Sequence, residues 1–347
     1  MTMYQFSGDL EYLNGIGAVP QGIGNEDLGW ERELSYNLGT DISLFDRRLN
    51  FTFDIYLKKT TDLVLDASRA PSTGSTSAKE NIGEMENKGL EFQVDGMLVQ
   101  RNDFYWQVAA TGSMNRNRIL KINSALKKAN EDANKVDSKT PLAQYEEGES
   151  TTALKVVKSA GIDPATGQEV FIKLNGERTF EYSADDKFVI GDTEPRFRGT
   201  VSTNLFYKGF SLYLLGRYEC GAYLYNETRA TKVEGANPKK NADKRVFDSR
   251  WKSPGDIAFY KDIADSDGWG TNPKHSDRFV EKENVFTLGT VNFGYEFGQN
   301  ICSKIGVRNL RVGVNLTDIV RWSNVKIERG TTYLYSNGFE FTLSTTF

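Results

Sequence analysis

Apolar and polar residues alternate along most of this chain with a period of two, in runs longer than ordinary strands. In "WERELSYNLGTDISLF", Trp30, Leu34, Tyr36, Leu38, Ile42 and Leu44 share one face. Glu31, Glu33, Ser35, Asn37, Asp41 and Ser43 take the other, with Arg32 and Thr40 as polar exceptions on the apolar side. After "DRR" the alternation resumes with Leu49, Phe51, Phe53, Ile55 and Leu57 against Asn50, Thr52, Asp54, Tyr56 and Lys58. Leu90, Phe92, Val94 and Leu98 form a third apolar set. Beyond "RND", Phe104, Trp106, Val108, Ala110 and Met114 form a fourth. Further runs cover Arg198 to Tyr207, Phe210 to Gly221, Val285 to Phe297, Leu310 to Thr317 and the final "FEFTLSTTF". This periodicity predicts about nine strands. Two weaker segments, Leu154 to Lys158 and Glu169 to Lys173, flank "GIDPATG" and predict a hairpin inside a loop, for nine to eleven strands in all.

The connections alternate as regularly as the residues. Short links at Asp46 to Arg48, Arg101 to Asp103 and Lys208 to Gly209 take turns with long ones at Thr60 to Asn81, Lys121 to Pro195 and Asn226 to Asn284. Gly298 to Asn309 is intermediate, and Asp318 to Gly338 is long again. A soluble sandwich or propeller has no reason to alternate its loops this way. Outer-membrane barrels do, with brief periplasmic turns and long external loops. Strands of ten or more residues also suit a tilted passage through a bilayer core. The expected fold is therefore all-β, an antiparallel transmembrane β-barrel. Its lipid-facing set is expected to include Leu34, Leu38, Phe51, Phe53, Phe92, Trp106, Leu212 and Phe341.

Composition narrows the partners. The 347 residues carry a net charge of -4, from 43 Lys and Arg against 47 Asp and Glu, which offers no basic excess for a phosphate backbone. No run of roughly eighteen apolar residues exists to form a helical span. A mean hydropathy of -0.51 is compatible with a barrel, where only alternate residues meet lipid. Cys220 and Cys302 are too few for a disulfide framework and lack zinc-ligand spacing, so two unpaired thiols are expected. The opening "MTMYQFSGDLEYLNG" shows neither a basic nor an apolar leader pattern.

At "NIGEMENKGLEF", Asn81 to Phe92, the sequence resembles the SusC/RagA family of TonB-dependent outer-membrane transporters of Bacteroidetes. Other segments fall in the family's order: "NEDLGWERELSYNLGTD", "AGIDPATGQ" (Ala160 to Gln168), "GDTEPRFRGTVSTNLFYKGFSL", "RWKSPGD" (Arg250 to Asp256), "SDRFVEKENVFTLGTVNFGYEF" and "LRVGVNLTDIVRWSN". After Asn284 the chain departs from the family's usual Leu-Arg-Leu-Lys-Asn-like run and reads "VFTLGTV". The resemblance implies TonB-driven import of glycan fragments or oligopeptides across the outer membrane, with a SusD-like surface lipoprotein as lid. It implies that Phe339, Phe341, Leu343 and Phe347 form the terminal signal read by the barrel assembly machinery. It also implies that residues 1–347 form the C-terminal part of such a barrel, without plug, TonB box or early strands. An odd strand count gives the same expectation, since single-chain bacterial barrels normally close with an even one. A plugged barrel of the 22-stranded class would be represented by roughly half.

Catalysis finds little footing. His275 is the single histidine, expected to be a solvent-exposed loop residue in "NPKHSDRF", and nothing marks a nucleophile beside it. Asp262, Asp265 and Asp267 faintly suggest a calcium loop, but Ile263 and Lys274 occupy ligand positions of the EF-hand pattern, and no metal or cofactor is expected. In the long loop 226–284, expected to be extracellular, Trp251, Tyr260 and Trp269 are candidates for stacking on a sugar or touching the lid, although packing of a small loop domain is the plainer role. Glu31, Asp54 and Glu91 are expected to line the lumen. A passive porin or adhesin barrel is the alternative function. A soluble carbohydrate-binding or glycosidase domain would need two carboxylates in a cleft, and here the acids sit singly along strands.

Overall fold

The computed structural model describes residues 3–12, 15–22, 24–68, 77–237, 239, 241–264, 274–326 and 336–347. Strands β1 (Met3–Tyr12) and β2 (Gly15–Gly22) pair as a separate two-stranded sheet. The main sheet contains β3 (Arg32–Leu44), β4 (Leu49–Ser68), β5 (Ser77–Arg101) and β6 (Phe104–Ile122). Helix α1 (Ser124–Lys135) and four short strands, β7 (Ala153–Ile162), β8 (Glu169–Ile172), β9 (Arg178–Thr179) and β10 (Lys187–Asp192), follow in the long connection. The main sheet resumes with β11 (Phe197–Tyr207), β12 (Phe210–Tyr225) and β13 (Val280–Glu296). After the single turn α2 (Gln299–Cys302) come β14 (Asn309–Ser323) and β15 (Gly338–Thr346).

Nine strands form one antiparallel sheet in the order β15-β14-β13-β12-β11-β6-β5-β4-β3. Every neighbour in that order is also a neighbour among the main strands along the chain, because the excursion through β7–β10 returns β11 to the free edge of β6. The sheet is not closed on itself: β3 and β15 are its two edges. The weak hairpin expected around "GIDPATG" is present as β7 paired with β8, and β9 and β10 extend it to four strands.

The turns explain the alternation of loop lengths. Lys208 and Gly209, both at positive φ, close β11 onto β12 with a two-residue hairpin whose twist matches the strands. Phe45, Asp46 and Arg47 are all left-handed at the β3–β4 turn. At the opposite end the strands run beyond the common sheet. Thr60 to Asn81, expected as a loop, is mostly strand, since β4 reaches Ser68 and β5 starts at Ser77. The long loop likewise ends four residues before Asn284, with β13 starting at Val280.

Candidate functional site: a two-faced sheet and its loop layer

Register turns the alternation of single strands into two continuous surfaces. On one face a row runs Leu38, Ile55, Leu90 and Met114 across β3 to β6. Another runs Trp106, Leu205, Leu212, Phe293, Val314 and Phe341 from β6 to β15. Each named member of the expected lipid-facing set lies on a strand of this sheet, and this face is largely apolar, with single polar residues such as Thr40 and Thr203. Aromatic rings gather towards its ends. Near the short turns Phe104 packs edge-on to Tyr207 at 6.0 Å, and Phe210 lies 4.5 Å from Tyr295. A second row reads Phe92, Gly112, Gly199, Tyr218, Phe286 and Trp322, slanting from mid-strand on β5 to the loop end of β14. Its two glycines are covered by neighbouring rings: a methyl at Gly112 would run into Phe92, and one at Gly199 into the Thr111 carbonyl and the Tyr218 ring. An apolar band between aromatic girdles is the surface a bilayer selects.

The opposite face is polar from edge to edge. Thr111 and Thr200 share a hydroxyl hydrogen bond at 2.8 Å, and Asn50 donates to Asp95 at 2.9 Å. The Tyr56 hydroxyl donates to Asn115 at 3.1 Å, and the Asn115 amide reaches Glu194 at 3.4 Å. Asp54, Glu91, Glu33, Asn37, Tyr56 and Asn115 line an open depression of about 750 Å³ on this face. Glu31 stands apart from it, accepting from the Val64 amide at 3.2 Å. The departure "VFTLGTV" keeps its place in the sheet through paired irregularities: β13 shifts register between Leu288 and Thr290 against both neighbours. Asp318, left-handed at φ 51°, meets Arg217 across this bulge at 3.2 Å.

Segments far apart in sequence meet above the sheet. Asn81 donates to the Gly29 carbonyl at 3.0 Å and accepts from its amide at 2.7 Å, while Asn25 donates to the Lys79 carbonyl, so "NEDLGW" is pinned to "NIGE". Trp251 of "RWKSPGD" covers Gly167 of "AGIDPATGQ", whose φ of +74° and lack of a side chain admit the indole. The indole N–H donates to the Pro164 carbonyl at 2.9 Å. Trp251 is thus only 9% exposed, and Tyr260, at 6%, packs with Ala230, Val233 and Phe279. Both of these candidate contacts present no open ring face and serve as packing in this loop layer. Trp269, Asp265 and Asp267 lie outside the described residues. Among the described residues no group of acidic, His or Cys side chains is arranged to hold a metal ion.

The residues that sequence reasoning missed are the charges buried in this layer. Arg278 grips Glu169 through two bonds of 2.7 and 2.6 Å and Glu234 through two of 2.8 and 2.7 Å, and also donates to the Phe259 carbonyl. These two carboxylates outweigh the cost of burial and raise the pKa of the guanidinium further. Arg250 donates to the carbonyls of Val246, Lys261 and Val233, with burial lowering its pKa. Nothing in a period-two pattern signals such residues, although both arginines lie in segments quoted above. His275 corrects the expectation of a solvent-exposed residue: it is half-buried, its Nε2 lies 3.1 Å from the Ser138 carbonyl, and its ring meets Tyr225 edge-on. Burial lowers its pKa. Cys220 and Cys302 are both free thiols, the latter buried under the Phe297 carbonyl.

Residues 3–146 match the family described as the TonB dependent receptor-like β-barrel. TonB-dependent receptor P39 of Formosa agariphila is 25% identical over 89% of this chain and 33% of its own length. TonB-dependent receptor SusC of Bacteroides thetaiotaomicron is 33% identical over 28% of this chain and 10% of its own. These matches make the chain similar to the SusC/RagA-type TonB-dependent receptors. It spans about a third of the length of the Formosa relative. The solved RagAB peptide transporter shares the fold, with a TM-score of 0.75 at 22% identity, over 94% of this chain and 35% of that one. The RagAB importer in its open-open state gives 0.76 at 20% identity, over 100% and 38%. The chain is therefore an outer-membrane protein that shares the β-barrel fold of these receptors. No helix among its described residues is long and apolar enough to cross a membrane, and its strands supply the crossing.

Proposed function

We propose that this segment forms wall and external loops of a TonB-driven importer of nutrient oligomers. The observation that carries the reading is the pair of continuous faces: an apolar band between aromatic girdles against lipid, and a hydrogen-bonding wall against a hydrated lumen. The short turns lie on the periplasmic side and the loop layer on the extracellular side. A SusD-like lipoprotein caps that layer, and peptides or glycan fragments are the cargo. Both kinds of chain suit a lumen of hydroxyls, amides and carboxylates, and the names of the RagAB structures favour peptides. Trp269 is a candidate contact for cargo or cap. Trp251 and Tyr260 act by holding the loop layer in shape. On β15, Phe339, Phe341 and Leu343 present an apolar edge that, with Phe347, is offered to the assembly machinery and then paired.

The test is uptake in cells carrying the full-length gene. Labelled oligopeptides or oligosaccharides should accumulate, and accumulation should vanish when tonB is deleted. Uptake that is indifferent to tonB would establish the passive porin instead. Protease added to intact cells should cut within 226–279 and spare Asp46 to Arg48. The reverse pattern would invert the topology.

A further inference from the structure

A cavity of about 270 Å³ opens in the loop layer between the end of α1 and the segment around Lys274, lined by Asn134, Ser138, Tyr182, Lys187, Lys274 and His275. That volume suits one sugar or amino-acid unit rather than a longer ligand. Its lining is cationic. Among the described lining residues, Lys135, Lys187 and Lys274 face it with the carboxylate of Asp137. Lys135 is held by Asp132 on the exposed side of α1, and the Lys274 ammonium lies 5.5 Å from the centre of the Tyr182 ring.

Lys187 is the distinctive member. It is half-buried, and its ammonium donates to the Asn134 side-chain oxygen at 2.8 Å, a neutral partner. That oxygen also takes the Gln144 amide at 2.5 Å, while the Asn134 amide donates to Asp185 at 3.0 Å. Asn134 is thereby fixed as an acceptor. The ammonium retains two further donors. Burial lowers the Lys187 pKa despite the nearby charge of Asp185, and the positive charge of Lys155 adds to the lowering. A cation withdrawn from water without a bonded carboxylate is the group that gains most from an incoming anion. His275 contributes on the same wall. The Ser138 carbonyl fixes its Nε2 as the protonated nitrogen, and burial favours the neutral ring.

We propose that this cavity is a subsite for a carboxylate-bearing unit of the cargo, with Lys187 and Lys274 pairing the carboxylate. The carboxylate belongs either to an acidic residue of a peptide or to a uronic acid of a glycan. The proposal rests on the import reading for the word cargo, but the site is tested by binding alone. The full-length transporter in detergent is titrated calorimetrically with tri-glutamate and tri-galacturonate, and with the neutral analogues tri-glutamine and galactotriose.

At least one acidic probe should bind ten- to a hundredfold more tightly than its neutral analogue, about the strength of one or two charge-assisted hydrogen bonds. Lys187→Gln should abolish that preference and leave the neutral probes unchanged, whereas Lys187→Arg keeps most of it. Heat-modifiability on gels reports whether each variant is folded, and Lys274→Gln gives the same reading where Lys187→Gln fails to fold. A preference for tri-glutamate assigns the carboxylate to peptides, one for tri-galacturonate to glycans, and both together to the carboxylate alone. Equal binding of acidic and neutral probes, or a preference that survives both Gln substitutions, overturns the subsite. Failure of tonB-dependent uptake with the preference intact overturns the import reading instead.

Discussion

The sheet and the loop layer of this protein answer to different solvents. In the sheet, large apolar side chains stand in the open: Leu38 is 69% exposed and Phe341 64%. In the loop layer Phe279, Val156 and Val157 are fully buried, and the charged side chain of Arg278 is only 7% exposed. A water-soluble domain buries carbon and exposes charge. The sheet inverts half of that rule because one of its faces is meant for hydrocarbon, where exposed carbon costs nothing and every backbone group must be paired within the sheet. The loop layer sits in water and needs an ordinary core. That core is small, Ala230, Val233, Tyr260 and Phe279 with Tyr225 and Phe259 around them, so buried ion pairs and arginine-to-carbonyl bonds supply much of its order.

The strongest way to break this contrast is Arg278→Ala. It leaves Glu169 and Glu234 buried without a counter-charge, which costs about 3–5 kcal/mol. The loss should fall on the loops alone. Limited proteolysis should open the β8 and 226–279 region, while the barrel keeps its heat-modifiable mobility on gels. Removing Lys59 from its exposed pair with Glu84 should change stability by no more than about 1 kcal/mol.

A charge placed on the apolar face tests the other half. Val201→Arg, mid-strand between Ala110 and Gly216, should cost about 2–4 kcal/mol in lipid. Its neighbour Thr200→Arg, on the polar face, should assemble almost normally. Equal effects at the two positions would deny that the faces meet different solvents. Gly199→Ala should cost about 1–3 kcal/mol by overpacking, since the added methyl meets the Thr111 carbonyl and the Tyr218 ring. Refolding titrations into lipid vesicles measure both.

The smallest effect is a pH dependence confined to the loops. Burial depresses the folded pKa of His275 below its ordinary 6.5. Below pH 6.5 the unfolded loops bind a proton that the native ring resists, so loop stability is complete above 6.5 and falls as pH drops from there towards the native pKa. Hydrogen exchange of the 130s and 270s segments should show this decline. It should flatten in His275→Gln.

The strand set and the two faces were legible because period-two alternation is a property of each strand alone, and a face turned to lipid demands it along most of its length. The alternating loop lengths were legible for the same reason, as two-residue turns such as Lys208-Gly209 leave a local mark. For Trp251 and Tyr260 the sequence left contact and packing side by side, because an aromatic in a charged loop looks the same whether it faces cargo or covers a glycine. His275 misled, because a polar loop sequence does not show which neighbour covers the ring. Register decided the rest. Only pairing across six strands shows that Phe92 and Trp322 share one aromatic row, and only the packed loops bring Glu169, Glu234 and Arg278 together over separations of 44 and 109 residues. The sequence by itself determined which residues alternate and therefore what solvent each face requires, since that information is repeated every second position. Tertiary structure decided which charges are buried, which rings are spent on packing and where a lysine faces a cavity, because those depend on meetings between distant segments that leave no local period.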